Sequence, residues 1–169
     1  MGIVTPARRS RASNGAGGAI SAERGRNLSL TEDHFAGNIA LEEGGAVAMQ
    51  SGRITAMMST MAGNFGGAIY LDSSRTHSTI HGALIDGNSA AVEAGGIFAI
   101  VRRCSGIGLE IVGSVIERNR AGGPVSGISV QSVVRGNTGP RVLIRRCDVT
   151  DHSGTALLIA ATIGTAMSS

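Results

Sequence analysis

"MAGNFGGAIYL", residues 61–71, sets an asparagine two residues before a glycine pair, and the pair opens an apolar run. Variants recur as "FAGNIALEEGGAVAM" (35–49), "IDGNSAAVEAGGIFAI" (85–100), "IERNRAGGPVSGISV" (116–130) and "VTDHSGTALLIA" (149–160). Aligned on Asn38, Asn64, Asn88, Asn119 and His152, the residue three before is apolar each time: Phe35, Met61, Ile85, Ile116 and Val149. Five before stand the short residues Asp33, Ser59, Ala83, Ser114 and Cys147. Eight before come Leu30, Ala56, Ile80, Ile111 and Ile144, and ten before come Leu28, Ile54, Ser78, Leu109 and Val142. Alternation with a period of two on each side of one phase change is the pattern of two short strands joined by a bend.

Outward from the asparagine, each unit continues through a small pair into a second apolar run, as in "AVAM", "AIYL", "IFAI", "ISV" and "TALLI". A partial earlier copy stands at "NGAGGAI", 14–20. Units of about 20–30 residues, with strands too short to bury themselves, call for stacking into a solenoid. Parallel strands about 4.8 Å apart then superpose identical positions into internal ladders. The expected fold is all-β, a parallel β-helix of about six coils. Residues 1–13 read as a flexible lead, 14–160 as the repeat domain and 161–169 as a tail or cap.

The recurring polar residues have a structural reading. At a sharp corner, backbone amides leave the strand ladder and need other partners. Asparagine tolerates the left-handed backbone conformation, and stacked carboxamides can bond from coil to coil. Glycine allows positive φ or close backbone approach where the next strand begins. Asn38, Asn64, Asn88, Asn119 and His152 are therefore expected to form one polar ladder, with the imidazole replacing a carboxamide.

Composition narrows the function classes. The chain has 26 glycines, three phenylalanines, one tyrosine and no tryptophan, so a thin aliphatic core is expected. All 15 basic residues are arginines, the net charge is only +3, and the arginines are scattered. A nucleic-acid surface wants a dense basic stripe with stacking aromatics, and no such partner is expected. Cys104 and Cys147 are too few for a disulfide scaffold or a zinc site, and no cofactor is expected. "MGIVTPARRSRASNGAGG" lacks the apolar centre of a secretory signal, and no run approaches a membrane span.

The motifs GGA[ILV] and FxxN resemble the repeats of polymorphic outer membrane proteins, a class of autotransporter adhesins. "FAGN" at 35–38 carries the second; "GGAI" at 17–20, "GGAV" at 44–47 and "GGAI" at 66–69 carry the first. The likeness runs through 14–160 and loosens after residue 95. It implies a right-handed parallel β-helix used for adhesion at a cell surface, where a protein or glycan is the expected partner. Extracellular or outer-membrane placement is then expected for a larger exported protein of which this chain is a segment.

Other parallel β-helices host polysaccharide lyases and hydrolases, so the acidic residues need weighing. Asp86 and Glu117 both lie two before a corner position and can stack in neighbouring coils, next to Arg118. A lyase needs clustered carboxylates and a basic group, which makes Asp86, Glu117 and Arg118 the best catalytic candidates. A solvated charged face is the reading preferred for them. His34, His77, His81 and His152 fall in different repeat phases and form no metal set. The reading is a non-enzymatic surface segment with a structural or adhesive role; the alternative is a carbohydrate-active β-helix. The uncharged stretch "TALLIAATIGTAM", 155–167, has the composition of a strand edge that self-associates.

Overall fold

In the first two walls strands of two to six residues survive because all but the end strands are paired on both sides by their counterparts in neighbouring coils. The computed structural model describes residues 7–8, 11–12, 17–23, 27–74, 76–102, 106–135 and 141–164. All pairings among these are parallel, and they build three long walls. The first wall stacks Asn27–Thr31, Arg53–Met57, Ser78–His81, Ile107–Val112 and Arg141–Arg145. The second stacks Ala7–Arg8, His34–Ala36, Thr60–Ala62, Leu84–Asp86, Val115–Glu117 and Asp148–Thr150. The third stacks Ile20–Glu23, Val47–Gln50, Ile69–Ser74, Ile97–Arg102, Val125–Arg135 and Thr155–Gly164. Two walls thus have six rungs and the first has five.

The register superposes the repeat positions. Phe35, Met61, Ile85, Ile116 and Val149 pair in sequence along the second wall. Ile80, Ile111 and Ile144 do the same along the first. The first-wall strand Asn27–Thr31 alternates exposed and buried residues, so Leu28 and Leu30 point inward. Together with Met49, Leu71 and Ile97 from the third wall, these ladders form one continuous core. Each Leu, Ile or Met sealed this way contributes about 1.5–3 kcal/mol, so a chain poor in aromatics still closes.

The polar ladder runs beside the apolar one. Asn38 Nδ2 donates to Asn64 Oδ1 (2.8 Å), Asn64 Nδ2 to Asn88 Oδ1 (2.8 Å), and Asn88 Nδ2 to Asn119 Oδ1 (3.0 Å). Each Oδ1 also accepts the backbone N–H of the preceding asparagine, at 2.9–3.0 Å. The second Nδ2 hydrogen reaches back to a main-chain carbonyl: Asn64 to Phe35, Asn88 to Met61, Asn119 to Ile85. These bonds allow only one orientation of each amide. All four asparagines are fully buried or nearly so.

Two details differ from the sequence expectation. The left-handed backbone is carried by the residue before each corner position, Gly37, Gly63, Gly87, Arg118 and Asp151, with φ of 52–65°. The asparagine side chain must point into the coil to ladder, so its neighbour makes the turn. A second left-handed residue precedes each short position: Glu32, Met58, Gly82, Gly113 and Arg146, with φ of 50–61°. Two of these short positions carry hydroxyls that bridge to the preceding rung. Ser59 Oγ accepts Asp33 N–H and Ser114 Oγ accepts Ala83 N–H, while each hydroxyl donates to a carbonyl two residues earlier.

Ala7–Arg8 and Arg11–Ala12, inside the 1–13 segment read as a flexible lead, pair with Phe35–Ala36 and Ile39–Ala40. The last strand runs from Thr155 through Gly164. The rest of 1–13, together with 165–169 and Cys104, lies outside the described residues.

Replacing Asn88 by leucine is expected to cost about 1–3 kcal/mol, because buried amides on both sides lose partners. The same change at exposed Asn27 is expected to cost under about 0.5 kcal/mol. Equal urea-unfolding losses would contradict the ladder. His152 takes Asn119 N–H on Nδ1 (3.2 Å), and its Nε2 is buried without a partner. His152→Asn supplies an oxygen for both Asn119 donors and should raise stability by about 0.5–1.5 kcal/mol in the same assay.

Candidate functional site

Asp86 and Glu117 are register neighbours in the second wall, one rung apart. Arg118 follows Glu117 at the left-handed turn, and that backbone aims its guanidinium back across the rung. Nε and Nη2 of Arg118 donate to both oxygens of Asp86, at 2.8 and 2.7 Å, and Nη2 lies 3.0 Å from Glu117 Oε1. The structure thus brings the three candidates together as a closed fork. The fork holds the Asp86 carboxyl below its ordinary value of 3.8, the hydrogen bonds outweighing partial burial. An ionised, clasped aspartate does not suit general-acid work, which needs a raised carboxyl.

Other wall carboxylates are engaged in the same way. Asp72 meets Arg102 through two contacts, at 3.1 and 3.2 Å. Glu110 meets Arg145 at 2.9 Å and His77 at 3.5 Å. Among the described residues no group of three or more His, Cys, Asp or Glu is placed to hold a metal ion.

A concave site exists elsewhere, where the asparagine corner leads into the third wall. Val47, Ile69, Ile97 and Ile128 are register partners there. Asn38 precedes Val47 by nine residues, as Asn88 precedes Ile97 and Asn119 precedes Ile128, but Asn64 precedes Ile69 by only five. The middle coil therefore crosses directly while the coils on either side bulge outward. Gly66 makes this short crossing possible: its φ is +97°, and a Cβ there would stand 2.7 Å from Ala40 O.

The result is a notch of about 410 Å³ between two lips. Leu41, Glu42 and Glu43 form one lip, and Ala90, Ala91, Val92 and Glu93 form the other. Gly66, Ile69 and Phe98 line the base. Phe98 packs against Tyr70, ring centroids 5.7 Å apart, and is itself only 6% exposed. Burial pushes the Glu43 carboxyl up, and Glu93 and Glu42 add to the effect. Burial also raises the Tyr70 hydroxyl, with Glu43 and Asp72 reinforcing it against Arg102. Glu43 is the perturbed group that lines the notch, and a titratable group perturbed inside a cavity is a recurrent mark of functional sites. Sequence reasoning missed Glu42, Glu43 and Glu93; the readable signal was the five-residue interval after Asn64.

With the coil geometry in hand, comparison places the fold. A family model described as "Right handed beta helix region" matches residues 7–139. The chain belongs to the right-handed β-helix family. No curated protein and no solved structure matches it. In this β-helix the matched residues take in most rungs of all three walls.

The Arg118 fork gives a pH test. A carboxyl lowered on folding contributes stability above its ordinary value of 3.8 and loses that contribution as pH falls through the folded value. In Arg118→Ala the Asp86 carboxyl should titrate higher than in the wild type by carbon-detected NMR. The variant should also lose less stability than the wild type on acidification below pH 3.8. An unchanged Asp86 midpoint would show that the fork does not hold in solution.

Proposed function

We propose that the chain is a non-enzymatic structural and adhesive segment, displayed outside the cell or at its surface and binding a protein or glycan partner. The observation that carries this reading is the fork of Arg118 on Asp86 and Glu117, which occupies the best catalytic candidates with one another. The GGA[ILV] and FxxN repeats, which resemble those of polymorphic outer membrane proteins, support an adhesive role and a surface location. The test is turnover. Purified protein is incubated with acidic polysaccharides, with and without calcium, and unsaturated or reducing sugar ends are followed. No release is expected. Calcium-dependent release abolished by Asp86→Asn would replace this reading with a carbohydrate-active one.

Self-association belongs to the same proposal. On the final rung Val142, Ile144, Cys147 and Val149 are only partly buried, whereas Leu109, Ile111 and Ile116 one rung earlier are fully covered. Leu157, Leu158 and Ile159 on the outermost strand of the third wall are 40–49% exposed. An uncharged outer strand with open main-chain groups is a template for another strand. Sedimentation of the 169-residue chain should show concentration-dependent association. Leu158→Lys combined with Ala160→Lys should reduce that association while leaving the circular dichroism of the walls unchanged. A wild-type chain that stays monomeric at high concentration would remove this part of the proposal.

A further inference from the structure

We propose that the notch between the 41–43 and 90–93 lips is a docking groove for a lysine or arginine side chain of a partner polypeptide. The inference rests on the surface-binding reading above and names the chemistry of one partner. Three features of the groove favour this occupant. The carboxylates Glu42 and Glu43 on one lip and Glu93 on the other have no ion-pair partner among the described residues, unlike Asp72, Asp86 and Glu110, each held by an arginine. The carboxylates are also too dispersed for a metal ion. Between them the base is apolar, supplied by Gly66, Ile69 and Phe98, and Leu41 and the Ala90–Val92 stretch of the lips extend that apolar surface.

An acidic rim over an apolar base complements a side chain with a methylene stem and a cationic head. A sugar fits less well. Its hydroxyls need donors as well as acceptors, the side chains on the lips offer acceptors only, and Phe98 is too covered to give a ring a stacking face. A metal would need the carboxylates converged on one point. The shortened crossing after Asn64 is what opens the space, so the groove occurs at this coil and not where the nine-residue interval is kept.

The full 169-residue chain is titrated with the blocked tripeptide acetyl-Gly-Arg-Gly-amide, following backbone amide shifts. Saturable shifts are expected at Gly44, Gly66, Ala91 and Ala94. The citrulline analogue, equal in shape but uncharged, should bind at least tenfold more weakly. A Glu43→Gln, Glu93→Gln double variant should also bind the arginine peptide at least tenfold more weakly. Unchanged Asn64 and Asn88 amides in that variant show that its fold is intact. Equal binding of both peptides, shifts centred on Asp86 and Glu117, or no saturation by about 10 mM peptide overturns the proposal. Saturation of the same amides by calcium chloride or maltotriose in place of the peptide does so too. A failed peptide titration together with glycan shifts on the walls removes the groove and leaves the adhesive reading standing. Polysaccharide turnover removes the adhesive reading whatever the groove binds.

Discussion

A carboxamide reaches one rung spacing, and the molecule is organised around that fact. Parallel strands in adjacent coils lie about 4.8 Å apart. An asparagine at the corner can therefore satisfy its neighbour's main-chain N–H and side-chain N–H with a single oxygen. Repeated through Asn38, Asn64, Asn88 and Asn119, this gives each buried corner amide a partner without water. Leaving such a group unpaired costs about 1–3 kcal/mol. The ladder fixes the phase of its coils, and the apolar stacks of Phe35 through Val149 and Ile80 through Ile144 then align inside it.

Charge is distributed along the same axis. Arg102, Arg118 and Arg145 each reach one rung back to a carboxylate, Asp72, Asp86 and Glu110. Exposed pairs of this kind add little individually, but they offset the repulsion where like charges stack one rung apart, as Asp86 and Glu117 do with Arg118 between them. The notch departs from this scheme, with acidic residues of two lips facing one another across a groove.

The walls were legible because stacking imposes identical chemistry at identical offsets, and an apolar residue three before each corner survives in all five copies. The left-handed turn was misplaced. Asparagine's own tolerance for that conformation drew attention away from Gly37, Gly63 and Gly87, and from Arg118 and Asp151, whose side chains give no such hint. The hydroxyl bridges of Ser59 and Ser114 read as mere small filling, since a short residue serves equally for space and for hydrogen bonding. The notch was hidden for a different reason. Counting from asparagine to asparagine averages the short crossing at 64–69 with longer segments elsewhere in the same unit, so the four missing residues do not stand out.

That short crossing shows how independent the corner is from the spine. Removing four residues between Asn64 and Ile69 leaves Ile69 in register with both Val47 and Ile97. In a globular core such a deletion would shift every later contact. Here strand phase is reset at each coil by its neighbours, and the corner only has to close. A mutational drift in corner length can therefore reshape the outer surface while the inherited frame stays folded. Ile39–Ala40, Phe65 and Ser89–Ala90 are still laddered to neighbouring coils, so the part free to vary in length is the outer stretch of each long crossing, about Leu41–Glu42 and Ala91–Glu93.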